Sequence, residues 1–214
     1  MTTMIARTEK MNGDETFAKR DFSRRRAWWF CLALAVVLLR WDCAQAAEPR
    51  VIMLRGWFGV FSTGLDGLSD ELKGRGINDA VVAGHLYWTT AVKEIEQERA
   101  AGKHRPIVLI GHSQGANNVI DIARALQQKN IQVDLLVTLA PMLQYPVPSN
   151  VVRAVNFYQS PGWGAPIAGD TSFHGKIQNV DMSNDPTVFH INIDKSAKVH
   201  ADIVREIVAL SQAK

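Results

Sequence analysis

From residue 50 onward, short uninterrupted apolar runs alternate with segments in which apolar residues recur every three or four positions. The runs are typical of strands buried on both faces of a parallel sheet, and the periodic segments are typical of helices with one face against a core. This alternation predicts an α/β fold with a mostly parallel sheet of about six strands and helices on both faces. The predicted strands cover residues 51–54, 80–83, 107–110, 133–139, 151–158 and 177–182.

Helices are predicted between the first four strands and after the last one. The second helix is predicted from about Thr90 to Ala101. The apolar positions that define the others are Leu65, Leu68 and Leu72 in the first helix, Ala116, Val119, Ile120, Ala123 and Leu126 in the third, and Ile203, Ile207 and Leu210 in the last. The segment 141–150, between the fourth and fifth strands, is too short for a lid domain.

The segment GHSQG follows directly on the third predicted strand and precedes the third helix. Gly-x-Ser-x-Gly alone occurs by chance in many chains, and it could also be a glycine-rich connection between strand and helix. A buried strand before it and an amphipathic helix after it favour a nucleophile elbow, a sharp turn that exposes a serine hydroxyl. Ser113 is therefore the predicted nucleophile. The amide of Gln114, at a helix N-terminus, is placed to stabilise an oxyanion.

These features resemble the α/β-hydrolase superfamily, and the short chain is similar to the minimal lidless bacterial lipases and esterases. The resemblance covers most of residues 51–210 and implies a Ser–His–acid mechanism that needs no metal or organic cofactor. It also implies that a second oxyanion amide comes from the loop after the first strand, at Trp57. Arg55 stands where many relatives have a histidine.

Two histidines compete for the role of general base. His190 lies a few residues beyond the last predicted strand, which is where the resemblance places the catalytic histidine. His200 lies among residues that already follow a helical period, so we expect it to be a packing or surface residue. The alternative takes residues 189–193 as the last strand and makes His200 the base. His112 precedes the nucleophile and is expected to pack or to form hydrogen bonds.

The catalytic acid is not defined by a motif. Asp170 is the first carboxylate after the fifth predicted strand and is the candidate by chain order, whereas Asp181 is the candidate by closeness to His190. The third possibility is a serine–histidine pair that works without an acid. Asp185 and Asp194 are expected to be solvated, with Asp194 near a helix start.

The predicted activity is hydrolysis of carboxylic esters or thioesters through an acyl-enzyme intermediate, with a small-molecule or lipid-like ester as substrate. Phe58, Phe61 and Trp163 come from the two loops nearest the site and could line an acyl pocket, although aromatic loop residues often serve only in packing. The alternative is a catalytically inactive binding module that keeps the hydrolase fold.

The first 46 residues differ from the rest of the 214-residue chain and are predicted to be an export leader. Arg24–Arg26 precede an apolar run, residues 27–39, and a small-x-small site ends at Ala46. The run is shorter than the roughly 20 residues that span a bilayer, so we predict cleavage after Ala46, with an uncleaved anchor as the alternative. Residues 47–214 would then form a single domain in the periplasm or outside the cell.

The leader also changes how charge and cysteines are interpreted. It holds eight Lys and Arg against five Asp and Glu, which accounts for the net charge of +3, so no basic surface indicates nucleic-acid binding by the remainder. Both cysteines, Cys31 and Cys43, lie in the leader. The predicted mature domain therefore has no disulfide and no thiolate metal site.

Overall fold

The computed structural model describes residues 47–212, which belong to one compact unit. The predicted leader, its two cysteines and its cleavage site lie outside the described residues. Export and cleavage therefore stay predictions.

Six parallel strands form one sheet in the order β2-β1-β3-β4-β5-β6. This confirms the predicted fold class, with the elbow serine directly after the third strand. The strands are β1 (Arg50–Leu54), β2 (Ala80–Ala83), β3 (Ile107–His112), β4 (Val133–Leu139), β5 (Val151–Tyr158) and β6 (Lys176–Asp181).

Four α-helices within residues 47–212 cover the two faces of the sheet. They are α1 (Gly64–Lys73), α2 (Trp88–Ala100), α3 (Gln114–Gln127) and α4 (Ala197–Gln212). Short 3-10 turns at His85–Tyr87 and Ile193–Lys195 precede α2 and α4. The predicted strand at residues 189–193, the alternative that favoured His200, is not formed, since these residues lie in turns that lead into the second 3-10 segment.

The continuous apolar runs in the strands follow from this arrangement of layers. Val51 and Met53 of β1 pack with α1 and α4 on one face, whereas Ile52 and Leu54 pack with α2 and α3 on the other. Successive strand residues point to opposite faces, so most positions of a central strand are apolar when both faces are covered. All six residues of β3 are buried.

Because the strands are parallel, their carboxyl ends share one edge of the sheet, which we call the carboxyl edge. Ligands of open parallel sheets bind at this edge. The loops that follow the strands meet there, among them residues 55–63 after β1 and residues 182–192 after β6. Within the described residues, the connection 140–150 between β4 and β5 contains no helix, so no lid domain lies above the edge.

Across residues 47–212, none of the helices combines the length and the apolar character needed to cross a membrane.

Candidate active site

Ser113 occupies a strained turn between β3 and α3. Its backbone has φ 57° and ψ −120°, a conformation that residues other than glycine rarely adopt. Such a conformation costs on the order of 1–3 kcal/mol and persists only where the surrounding structure enforces it. The Ser113 amide donates a hydrogen bond of 2.9 Å to the Leu139 carbonyl of the neighbouring strand, which fixes the turn to the sheet.

The two glycines of GHSQG allow three backbones to pass close together at this turn. A Cβ atom on Gly111 would lie 2.2 Å from the carbonyl oxygen of Gly115. A Cβ atom on Gly115 would lie 2.2 Å from the carbonyl oxygen of Leu54, at the end of β1. Any side chain at either position would push the elbow away from the sheet, so the spacing of the motif is a steric requirement.

The predicted oxyanion amides lie on the two segments that flank Ser113. Gln114 begins α3, where the first amides of a helix have no partner within the helix and carry its positive dipole end. Gly56 packs against the serine so closely that a Cβ atom on it would lie 2.9 Å from the Ser113 Cβ. Trp57 is the next residue, and its amide has no acceptor among residues 47–212. Both amides are therefore available to a developing negative charge.

The structure brings His190 to Ser113. The His190 Nε2 atom lies 3.0 Å from the Ser113 Oγ atom, within the range of a hydrogen bond between a base and a nucleophile. His190 comes from the loop after β6, so the contact joins residues that are 77 positions apart in the sequence. This is the pairing that the spacing of the last strand and α4 predicts.

A second, buried histidine forms a hydrogen bond to the backbone of His190. His112 is 1% exposed, and its Nε2 atom lies 2.7 Å from the backbone oxygen of His190. A carbonyl oxygen can only accept, so His112 Nε2 carries the proton and donates it. The Nδ1 atom then accepts from the Ser62 hydroxyl at 2.8 Å, and the same hydroxyl accepts from the Gly56 amide at 3.0 Å.

This chain of hydrogen bonds links the three segments of the site, namely the loop after β1, the end of β3 and the loop that carries His190. Burial lowers the pKa of His112, which keeps its ring in the neutral form that the chain requires. The hydrogen-bonding role expected for His112 is thus confirmed. The role of Ser62 could not be predicted from a sequence motif, because its partner His112 comes from a distant part of the sequence.

The imidazole of His190 has no carboxylate partner among the described residues. Its Nδ1 atom is buried and forms no hydrogen bond there. Burial, and in smaller part the electrostatic effect of the nearby His112 ring, lowers the pKa of His190 to about 4. An adjacent carboxylate would act in the opposite direction, since an opposite charge favours the imidazolium.

Asp170 and Asp181, the two expected acids, are engaged elsewhere. Asp170 accepts hydrogen bonds from the amide and hydroxyl of Ser172, both at 2.8 Å, and its own amide is bonded to Val147 ahead of β5. The connection after β5 has by then returned toward the amino ends of the strands, so Asp170 is on the wrong side of the sheet to orient His190. Asp181 is exposed and accepts from the Ser183 and Ser160 amides, which lower its pKa.

His200, the alternative base, belongs to a separate buried cluster. Its Nε2 atom lies 2.6 Å from the backbone oxygen of Asp194, and its Nδ1 atom lies 2.8 Å from Glu71 Oε1 on α1. This fits the expected packing role rather than catalysis.

Asp194 is fully buried, which corrects the expectation that it is solvated. Its Oδ2 atom accepts from the Gly64 amide at 2.7 Å and so caps the start of α1. Burial raises the pKa of this carboxyl. The cap was not visible in the sequence, because the carboxylate comes from 130 positions away.

The three predicted pocket residues lie on the expected loops but are largely exposed. Phe58 is 85% exposed, Phe61 51% and Trp163 50%. The Trp163 ring packs against His190, with centroids 4.4 Å apart and ring planes tilted by 33°, so it shields the imidazole from water on one side. They form an open apolar surface beside the serine.

A separate groove lies at the opposite edge of the sheet and is not part of this site. Its lining includes Ser149, His174 and Glu206. Ser149 is bonded to the Gln127 side chain, and no hydrogen bond joins it to His174. The groove therefore lacks an activated nucleophile.

No protein-family model and no curated protein match this sequence. Solved structures with a similar chain trace include RedJ with a PEG molecule bound in the active site, at 12% identity over 76% of this chain and 91% of that chain, with a TM-score of 0.48. Another is the NocB thioesterase domain from the nocardicin cluster, at 12% identity over 77% of this chain and 95% of that chain, with a TM-score of 0.47.

A third is a hydrolase of the alpha/beta superfamily from Xanthomonas campestris, at 14% identity over 74% of this chain and 99% of that chain, with a TM-score of 0.36. Similarities this distant do not indicate the chemistry of this chain. The fold class follows from the chain's own strand order and from the elbow after β3, and it is an α/β-hydrolase-like fold.

The environment of His190 leads to a prediction about its titration. Because a buried ring without a carboxylate resists protonation, its NMR signals should shift with a midpoint near pH 4 instead of the usual value near 6.5. Trp163→Ala opens the ring to water and should move the midpoint toward 6.5. Asp170→Asn should leave it unchanged. A wild-type midpoint at or above 6.5 that falls in Asp170→Asn would contradict the structure and restore Asp170 as the acid.

Proposed function

We propose that this protein is a serine hydrolase that cleaves carboxylic esters or thioesters through an acyl-enzyme intermediate. The observation that carries the proposal is the 3.0 Å contact between Ser113 Oγ and His190 Nε2 at the carboxyl edge of the sheet. A strained serine on an elbow, next to a histidine and two free amides, fits nucleophilic acyl transfer.

Each group would have one task in the reaction. Ser113 Oγ attacks the substrate carbonyl carbon while His190 Nε2 takes the hydroxyl proton. The carbonyl oxygen becomes an oxyanion, which the amides of Gln114 and Trp57 stabilise. As the tetrahedral intermediate collapses, the bond to the alcohol or thiol breaks, and the leaving group receives the proton from His190. Water then repeats the sequence at the acyl-serine and releases the carboxylic acid.

The missing carboxylate partner supports the third possibility raised by the sequence, a serine–histidine pair without a hydrogen-bonded acid. His190 must keep its proton on Nδ1 so that Nε2 can accept from Ser113. The hydrogen bond from His112 to the His190 backbone and the stacked Trp163 ring hold the imidazole in place of an acid. With a pKa of about 4, His190 is in its basic form throughout the neutral range.

A second candidate function rests on the same missing acid. Without a group that stabilises the imidazolium, the fold could serve as a binding module that no longer turns over substrate. The strained conformation of Ser113 weighs against this alternative, because a binding module has no need to keep a serine in a conformation that costs stability.

We further propose that the protein is exported. Support comes from the sequence of the leader, in which three arginines, a short apolar run and a small-x-small site follow in the order of a secretory signal.

Labelling of Ser113 tests the proposed chemistry. A fluorophosphonate should modify the wild-type protein at Ser113, and Ser113→Ala should lower the hydrolysis of p-nitrophenyl butyrate by about 10³-fold or more, as loss of a nucleophile does. Ser149→Ala, which replaces an exposed serine at the far edge, should retain both labelling and turnover. A wild-type protein that is folded but neither labelled nor active would favour the binding module.

Substitutions of His190 and His200 should have different effects on kcat/KM. His190→Ala removes the base and should reduce kcat/KM by about 10²-fold to 10⁴-fold with the fold intact. His200→Ala breaks the contacts with Glu71 and Asp194, so it should lower the urea midpoint while kcat/KM of the folded protein stays near the wild-type value. Inactivity of a stable His200→Ala beside normal turnover of His190→Ala would reverse the assignment.

The export proposal predicts a mature protein that begins at Ala47. Mass spectrometry of the protein recovered from a bacterial periplasm should give this N-terminus, and Ala46→Arg should block processing because a small residue is required there. An intact leader on membrane-bound protein would replace cleavage by anchoring.

A further inference from the structure

The exposed apolar side chains of this protein are concentrated at the carboxyl edge. Eleven large hydrophobic residues are exposed among residues 47–212, and ten of them lie on loops that follow strands at that edge. They are Trp57, Phe58, Val60, Phe61, Leu86, Met142, Leu143, Trp163, Phe189 and Ile191. The exception, Val152, lies at the amino end of β5. Single exposed apolar residues are normal, but convergence of this kind marks a functional surface.

These loops form one surface around the Ser113–His190 pair, and we call it the apolar rim. It comprises residues 56–62, 84–87, 140–145, 159–165 and 186–192. Trp163 packs against His190, and the Gln159 side chain donates to the Val188 carbonyl. The Asn117 side chain of α3 donates to the Leu143 carbonyl and accepts from the Leu143 amide. These contacts hold residues 140–145, 159–165 and 186–192 against the site or against each other.

Within these bounds the apolar rim carries no Asp, Glu, Lys or Arg, although such residues make up 21% of the chain. Arg55, which is paired with Asp66, and Asp185 border it. The core of a protein interface is also apolar and rich in aromatic residues, but it is typically edged by charged and polar groups and enriched in arginine. Aromatic and aliphatic side chains without charge are instead suited to the interfacial region of a lipid layer, where tryptophan and phenylalanine are favoured.

Phe58 is the clearest sign that the surface has an external partner. The residue is 85% exposed and its backbone has φ 62°, in the left-handed region. Neither packing nor local conformation explains a bulky apolar residue here, since asparagine or glycine would fit that backbone at lower cost.

From these observations we propose that the apolar rim docks on an uncharged lipid surface and presents Ser113 to esters that lie in it. A protein partner on the rim would cover Ser113, whereas a lipid surface would deliver substrate to it. The purpose of docking rests on the proposed hydrolase function, but docking itself does not. Since no lid among residues 47–212 covers the rim, docking needs no prior opening step by this part of the chain.

Vesicle binding tests this proposal in a Ser113→Ala background, so that hydrolysis cannot affect the result. Phosphatidylcholine vesicles should sediment the protein and shift the tryptophan emission to the blue, because Trp57 and Trp163 enter the lipid. Phe58→Asn with Phe61→Ser should lower the partition coefficient at least tenfold. Val152→Ser, the matched exposed residue outside the rim, should leave it within about twofold. All variants are compared both as full chains and as chains from Ala47.

Salt dependence and self-association distinguish a neutral lipid surface from an anionic one and from a second copy of the chain. Binding through an uncharged rim should change little between 0.1 and 0.5 M NaCl and should not require anionic lipid. The proposal is overturned by absence of binding, by equal binding of the rim variant and Val152→Ser, or by binding that needs phosphatidylglycerol and is lost in salt. It is also overturned if the rim substitutions abolish a dimer in analytical ultracentrifugation and leave vesicle binding unchanged. Labelling of Ser113 with a fluorophosphonate reports on the hydrolase function separately.

Discussion

The close approach of three backbones at the elbow is the constraint on which the site depends. The carbonyl oxygen of Leu54 lies against Gly115, and that of Gly115 lies against Gly111, so β1, β3 and the start of α3 fit together only if both positions lack a side chain. The positive φ of Ser113 follows from this arrangement. The orientation of the hydroxyl, the exposure of the Gln114 amide and the position of Gly56 all depend on the same contact.

A second set of contacts connects this turn to the loop that carries His190. Hydrogen bonds run from the Gly56 amide to Ser62, from Ser62 to His112 and from His112 to the backbone of His190. His190 is thus positioned through its main chain by His112 and through its ring by Trp163. This arrangement explains how an imidazole with no carboxylate partner among residues 47–212 can keep one orientation.

The fold was predictable because its signals are local. Buried strands and amphipathic helices can be recognised from neighbouring residues, and the observed β2, β4 and β5 match the predicted bounds. Ser113 and His190 were predictable since a strand on one side and a helix on the other fix where each must lie. The acid was not. Residues 159–175 connect β5 to β6 without a helix, and sequence order does not tell at which edge of the sheet a residue in such a segment lies. Asp170 therefore went to the amino side, and the burial of Asp194 depends on Gly64, a partner with no sequence relation to it.

The pairing of β1 has a consequence for how the chain folds. Strands β3 to β6 lie in the sheet in the order of the sequence, so they can assemble one after another, whereas β1 must pair with β3 across the whole segment that holds α1, β2 and α2. Contacts between such distant residues form late, because the loop must be closed before they are gained. Since Gly115 reaches its final place only against Leu54, a half-formed sheet holds no organised serine. We therefore expect Ser113 to reach its elbow conformation only after β1 has paired with β3.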